Sequence, residues 1–505
     1  VASPHHVASG IGLEVLADGG NALDAAIATN LALGVVTPYL CGYGGDLFAL
    51  IWAEGRAQGY AGAGRAPASA TPEAVRARAG SDRMPVMGPL TVTVPGAVEG
   101  WFALLDRFGT RHFADLSAPA LRLATDGFEV SERAAESFVR SSAAYEWSLQ
   151  WQAVYGGARA GRVLRQPGLA RTISTLAAEG RDAYYRGAIA AGIVDHVRAS
   201  GGLLEDRDLE DHKGEWVEPL AAWFRDTEVL ELPPPSQGVA ALEALRIVEL
   251  AGIPPEGAAR QHLLIEATKL ALADRDRYVS DPPAMVGASA RQLLSDAWTK
   301  DRAEAIDPLA ARDPGPGRPA IPGTAYLCAS DRDGMMVSLI QSNYMGFGSG
   351  VAVPGWGINL QNRGAYFSLE PGHVNVIAPR KRTLHTLMPA MALRGGRPWM
   401  VFGTMGGDGQ AQTHLQLLAR MAMDGRSPQQ AIEDPRWIVD PGSWSVTMES
   451  RFEPAVVEAL RERGHRIFVT QPFDSLLGHA HAIQRTSGGY VAGTDPRAEG
   501  AAAGL

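Results

Sequence analysis

Hydrophobic positions near the start of the chain fall in helical runs separated by glycine. Residues 4–17 read as a short helix stopped at Gly19-Gly20. Asn21 with Asp24 three positions on forms an acidic capping box. The helix it opens runs through Ala25, Ala26, Ala28, Leu31 and Leu33 to about Val36, and Pro38 ends it. A glycine-rich turn, Cys41 to Asp46, then leads into the unbroken apolar run Leu47 to Trp52, a buried strand. No Lys-Ser/Thr follows the turn and the order is helix–loop–strand, so it reads as close backbone packing and not as a phosphate loop. From about 95 to 306 the spacing is helical, with candidates at 96–108, 115–126, 131–143, 168–179, 187–199, 237–251, 259–279 and 290–306. A strand at 226–232 is stopped by three prolines, 233–235.

Residues 307–323 break this texture. Five prolines and three glycines in 17 positions cannot hold a helix and read as an extended linker. Beyond it the chain changes class. Thr324 to Ser330 alternates like a strand, 331–334 is a turn, and Met335 to Ser342 is its hairpin partner. Further strands are expected at 388–394, 399–403, 466–470 and 479–484, with helices at 409–423 and 453–463 between them. Hairpins and helices in separate blocks predict a layered α/β sandwich, not a doubly wound sheet.

Composition narrows the function classes. The chain of 505 residues is 46% apolar and 20% charged, which is ordinary for a globular protein. A net charge of −9 argues against a nucleic-acid partner. Two cysteines, Cys41 and Cys328, cannot build a disulfide framework or a multi-cysteine zinc site. Both read as small buried residues. No apolar run reaches the roughly 20 residues of a membrane span. The residues from Val1 onward show no signal-peptide pattern, and one could have been removed, which leaves cytoplasmic and periplasmic or secreted locations both open. Residues 324–505 hold 16 basic and 15 acidic side chains, so the acidic excess belongs to 1–323.

Gly323-Thr324 is the chemically informative junction: an extended linker runs straight into a hydroxyl residue at the start of a strand. Cutting before Thr324 would give it a free α-amine with a pKa of about 7.7–8.0, able to act as general base for its own hydroxyl. The pattern alone does not separate this from an ordinary loop edge. His479 and His481, two apart on one face of a strand, lack a third metal ligand nearby and read as structural. There is no G-x-S-x-G elbow and no dinucleotide fingerprint. No metal or cofactor is implied.

Several segments carry a resemblance over nearly the whole chain. They are Asn21 to Ala26, Gly42 to Asp46, Pro95 to Val98, Pro233 to Ser236, Gly323-Thr324, Asp331 to Gly334, Phe347 to Gly350 and Gly406-Gly407. In order and spacing the sequence resembles the γ-glutamyltransferase family of self-cleaving N-terminal-nucleophile hydrolases. The resemblance implies a four-layer αββα sandwich with a helical portion in the larger part. It also implies cleavage into a large subunit, 1–323, and a small subunit, 324–505, sharing one intertwined core. Thr324 would be the nucleophile that forms an acyl-enzyme. Ser342 stands where the family has a second threonine that bonds to it, although as a residue it also reads as a strand serine. Gly406 and Gly407, between a strand and a helix, would supply oxyanion-binding amides; alone they read equally as a tight turn.

The substrate positions depart from the family. Ala63 occupies the place of the arginine that holds a glutamyl α-carboxylate, and Arg65 lies two residues on. Arg363 and Tyr366 replace the Gln and Asp that hold the α-carboxylate and α-amine, and His385 and Thr386 replace paired serines. Without the Asp, an α-ammonium has no obvious partner, whereas Arg363 adds a fork suited to a carboxylate. The expected substrate is an amide of a small carboxyl-bearing acid lacking the α-amine, as in the cephalosporin-acylase and amidohydrolase branch. Two readings compete with it: true γ-glutamyl or glutathione hydrolysis, with Arg65 and Arg363 re-forming a clamp, and an uncleaved, non-enzymatic binder of small acids.

Overall fold

Strand Asp46–Ala53 shows how the layers arise. Leu47, Ala49 and Ile51 face helices, while Phe48 and Leu50 face a second sheet. Both faces are buried, which is why the run is apolar without alternation. In the computed structural model, which describes residues 1–314 and 323–505, this strand lies inside a seven-stranded sheet. The sheet order is 501–502, Ala2–Ser3, Ala325–Ser330, Met336–Ser342, Asp46–Ala53, Arg56–Gly62, Glu215–Val217. The second sheet has six strands: Gly489–Thr494, Ala480–Thr486, Arg397–Thr404, Ala390–Arg394, Thr227–Glu231, Leu220–Phe224. Its Leu230, Met391, Val401 and Ile483 meet Phe48, Leu50, Tyr326 and Ile340 of the first. Its alternate residues Val229, Ala390, Met400 and Phe402 turn to the helices Gly238–Ala251, Ala258–Tyr278 and Gly409–Met423. The first sheet's outer face is covered by helices that include Ala22–Val36 and Ala97–Phe108. The result is the αββα sandwich.

Met336–Ser342 pairs antiparallel with Ala325–Ser330 on one side and with Asp46–Ala53 on the other, in a register that sets Ser342 opposite Asp46. Helix Ala22–Val36 is buried on every side, and Asn21 and Asp24 exchange the two capping bonds. The expected helix at 290–306 is two, Ala290–Leu293 and Asp296–Glu304, because Ser295 accepts from the Trp298 amide and starts a second helix. Strands Arg56–Gly62, Leu220–Phe224 and Gly489–Thr494 were not expected from the pattern. In the first, a Cβ on Gly59 would meet Leu232 at 2.5 Å and the Val217 carbonyl at 2.9 Å, so packing requires a residue that weakens the strand signal. Residues 307–314 carry no helix or strand, as expected; the remainder of the linker, 315–322, lies outside the described residues. No helix among the described residues is long and apolar enough to cross a membrane.

Candidate active site

Thr324 stands just before strand Ala325–Ser330 and is 1% exposed. Its hydroxyl donates to Ser342 Oγ at 3.1 Å. Ser342 closes the neighbouring strand, donates onward to the Gly323 carbonyl at 2.5 Å, and accepts the Tyr344 amide at 2.7 Å. One serine hydroxyl thus joins the candidate nucleophile to the carbonyl of the bond that would be cut. The Tyr344 backbone is left-handed, φ 78°. Such strain in a non-glycine residue gathers where surrounding structure imposes it. Gly323 is fitted as tightly: a Cβ there would lie 2.5 Å from the Gly346 nitrogen.

Arg363 is 1% exposed and its Cζ lies 4.1 Å from the Tyr344 ring centroid. Nη1 donates to Thr386 Oγ1 at 3.0 Å. Nε and Nη2 have no partner among the described residues. These two nitrogens share one edge of the guanidinium, the fork that takes a carboxylate with two parallel bonds. Burial pulls the Arg363 pKa down.

The turn between strand Arg397–Thr404 and helix Gly409–Met423 carries Gly406 and Gly407 at φ 140° and 57°, conformations glycine tolerates. Asp408 follows them. Its Oδ1 accepts from Arg275 Nη1 at 2.5 Å and from the Tyr366 hydroxyl at 2.9 Å, while Oδ2 is buried without a partner among the described residues. Gln237, fully buried, donates to the carbonyls of Gly407 and Thr386, both at 2.9 Å. Glycine turn, Gln237, Thr386, Arg363, Tyr344, Ser342 and Thr324 therefore form one continuous chain of contacts. Tyr366 also lines a cavity of about 800 Å³, walled further by Asp276, Arg277, Glu370 and His373.

Two of the expected substrate residues are engaged elsewhere. Arg65 is 41% exposed and donates to Glu215 at 2.9 Å and to the Arg380 carbonyl at 3.1 Å, in a surface ion-pair cluster that also holds Asp281 and Arg382. It is not joined to Arg363. His385 accepts the Leu387 amide at Nδ1, so Nε2 carries the proton and donates to Asp46 at 3.1 Å. Both its nitrogens are spent on the protein. Its pKa falls to about 4, through burial first and the Arg363 charge second. Thr386 and Tyr366 also act on neighbours, the one holding Arg363 and the other Asp408.

Residue-pattern reasoning missed Gln237, Asp408, Arg275 and Asp46. Asp408 was detectable as the acid directly after the glycine pair. Asp46 accepts from His385 and from the amides of Gly64 and Gly96, so the glycine-rich turn supplies an anchor as well as close packing. The close packing is real: a Cβ on Gly44 would lie 2.3 Å from the Asn359 carbonyl oxygen. One group of metal-ligand type occurs among the described residues, His262, Glu266 and His465. It is already saturated: Lys269 donates to Glu266 at 2.8 Å and lies 3.4 Å from His465 Nδ1, and His465 Nε2 lies 2.8 Å from His262 Nδ1. An ammonium stands where a cation would bind.

A sequence profile described as gamma-glutamyltranspeptidase matches residues 8–505. The chain belongs to that family. Within it, the protein is similar to a glutathione hydrolase-like YwrD proenzyme of Bacillus subtilis, 38% identical over all of this chain and 98% of that one. It is 39% identical to an oxamate amidohydrolase proenzyme of Klebsiella pneumoniae, over 99% and 97% of the two chains. Among solved structures, a cephalosporin acylase from Bacillus halodurans superposes with a TM-score of 0.94 at 40% identity, covering 99% of this chain and 94% of that one. Family membership makes this chain an N-terminal-nucleophile amide hydrolase of the acylase and amidohydrolase kind, made as a self-processing precursor.

Proposed function

We propose that the protein cuts its own Gly323–Thr324 bond and then hydrolyses amides of a small acyl group that carries a free carboxylate. In the first reaction the Thr324 hydroxyl attacks the Gly323 carbonyl carbon while Ser342 holds the carbonyl oxygen and accepts the nucleophile's proton as its own moves to that oxygen. The C–N bond breaks, the Thr324 nitrogen takes a proton, and water hydrolyses the resulting ester. This leaves fragments 1–323 and 324–505. In the second reaction the freed α-amine takes the Thr324 hydroxyl proton. The hydroxyl oxygen attacks the substrate carbonyl, the amides of Gly406 and Gly407 receive the oxyanion, and the proton passes to the leaving amine. Water then releases the acid.

The observation that carries the acyl-group assignment is the unpaired Nε/Nη2 edge of buried Arg363. A buried guanidinium held by one hydroxyl is costly unless a ligand completes it. The oxamate amidohydrolase relative agrees in kind, since oxamate is itself a carboxyl-bearing amide. The test is intact mass together with release of p-nitroaniline from glutaryl and butyryl anilides. Wild type is expected as two fragments and to prefer the glutaryl substrate; Thr324→Ala is expected as one inactive chain of 505 residues. A fully active Thr324→Ala protein would refute the assignment.

One observation favours a second reading. Oδ2 of Asp408 is an unpaired buried acceptor that would suit an α-ammonium and turn the site toward γ-glutamyl amides. Dominant cleavage of the γ-glutamyl anilide over the glutaryl one would select it.

A further inference from the structure

The glycine turn is pinned at three successive carbonyls. Thr404 Oγ1 donates to the Met405 carbonyl at 2.7 Å, the Gly409 amide to the Gly406 carbonyl at 2.9 Å, and Gln237 Nε2 to the Gly407 carbonyl at 2.9 Å. In a trans peptide the N–H points away from the C=O of the same unit. Fixing the Met405 and Gly406 oxygens on the protein side therefore turns the Gly406 and Gly407 amides the other way. Neither amide donates to a described residue. The Gly407 oxygen, fixed in turn, stops the second glycine from rotating about its own backbone bonds.

Gln237 cannot serve in the reverse orientation. Its Oε1 accepts from Arg275 Nη1 at 2.6 Å, and a guanidinium only donates, so Nε2 must face the two carbonyls. Arg275 is fully buried and bonded in addition to Asp408 and Asp276. The strut is thus braced from the end of helix Ala258–Tyr278 through Gln237 to the turn. Two adjacent glycines without such bracing would populate many conformations, and donors that wander give little preorganised stabilisation to a developing charge.

We propose that Gln237 and Thr404 are positioning residues for the reaction: they aim the Gly406 and Gly407 amides at the tetrahedral oxyanion and touch no substrate themselves. The inference rests on the reading of Thr324 as the nucleophile and of this turn as the oxyanion site. Self-cleavage gives it a discriminating control. The Gly323 carbonyl oxygen is held by Ser342 and not by the glycine turn, so loosening the turn is expected to spare self-cleavage while slowing hydrolysis.

The experiment uses Gln237→Met and Thr404→Val, near-isosteric changes that each remove one pinning donor; Thr404→Val leaves Thr386 and Arg363 untouched. Precursor cleavage is followed by gel, and glutaryl-anilide hydrolysis by the cleaved protein gives kcat and KM. Affinity for a boronic acid that mimics the tetrahedral state is measured alongside. The expected result is a kcat loss of about 10- to 100-fold, somewhat below the cost of deleting an oxyanion donor outright. KM should stay within about threefold, boronate affinity should fall in parallel with kcat, and self-cleavage should proceed near the wild-type rate. A kcat within about twofold of wild type in both variants would overturn the proposal. So would a kcat loss matched by an equal loss of self-cleavage, which marks general structural damage. Absence of any acyl-enzyme on Thr324 of the wild-type protein, read by mass spectrometry, would remove the underlying reading as well, and is distinguishable from either of those results.

Discussion

Arg363 carries a charge into a place that most residues of its kind avoid, and its neighbours explain how it is tolerated. Thr386 takes one donor, the Tyr344 face covers the cation, and the remaining edge has no partner among the described residues. If a carboxylate completes it, Arg363→Met should cost the glutaryl anilide about 10- to 100-fold in kcat/KM. That follows from the roughly 1.5–3 kcal/mol of a charged hydrogen-bonded contact, and the butyryl anilide should be nearly unaffected. Arg363→Lys should fail almost as badly, because an ammonium has no fork. Removing an unpaired buried charge should also raise the melting temperature of the substrate-free protein. A variant that loses activity equally on both anilides would sink the carboxylate assignment. Arg363 stood out in the sequence because a single residue type had changed at a recognisable place. Gln237 and Asp46 did not, since their meaning lies in carbonyls and amides that only the folded chain brings to them.

Elements were legible wherever burial alone wrote the pattern. The apolar run 47–52 and the hairpin strand 335–342 became the two central strands because sheet and helix cover opposite faces of each. Glycine weakened the signal in two strands that the pattern did not show, Arg56–Gly62 and Gly489–Thr494, whereas the strand holding Gly403 was legible from its apolar neighbours. Gly403, in the strand that leads to the Gly406-Gly407 turn, faces the ring of Tyr326 in the strand that follows Thr324; a Cβ there would lie 2.4 Å from a ring carbon. The contact sets the spacing between the two sheets near Thr324 on one side and the Gly406-Gly407 turn on the other. Gly403→Ala must push a fully buried ring aside, so it is expected to destabilise by about 1–3 kcal/mol, the usual cost of overpacking. It should lower kcat as well. Urea unfolding and glutaryl-anilide kinetics on the cleaved protein check both. Unchanged values would mean that the sheets can slide apart freely, against the close packing seen here.

At the scale of the whole molecule, the segments on either side of Gly323-Thr324 are held together by buried contacts as well as by sheet pairing. His385 of the later segment donates to Asp46 of the earlier one. His465 of the later segment lies between Lys269 and His262, and His262 Nε2 reaches the Asp307 carbonyl at the start of the linker. Lysine donates to His465 Nδ1, His465 Nε2–H to His262, and His262 Nε2–H to Asp307, so every proton in the relay is assigned only while His465 is neutral. Adding one proton would turn an N–H toward an ammonium. Burial holds the pKa of His385 at about 4 and that of His465 at about 3, His465 being depressed further by Lys269. Both lie below the ordinary value of about 6.5. In the unfolded chain these imidazoles bind protons from about pH 6.5 downward; in the folded protein they do not until near pH 4 or below. At these sites the unfolded state therefore holds more protons in that window, and their contribution to stability must fall as pH drops through it, by up to about 1.4 kcal/mol per pH unit for each such histidine. Buried Glu231 and Glu243, whose pKa values burial raises well above the ordinary carboxylate value, act in the opposite direction in this window, so the histidine effect is read from the difference between wild type and a histidine variant. From pH 6.5 to 5 the urea midpoint of the cleaved wild-type protein is expected to lose ground relative to that of His465→Gln, which carries no titratable group at this position. A difference between the two midpoints that held constant toward pH 5 would show that His465 does not enter the core neutral. Because both contacts cross the proposed cleavage point, the same acid window should be where the proposed fragments 1–323 and 324–505 begin to come apart.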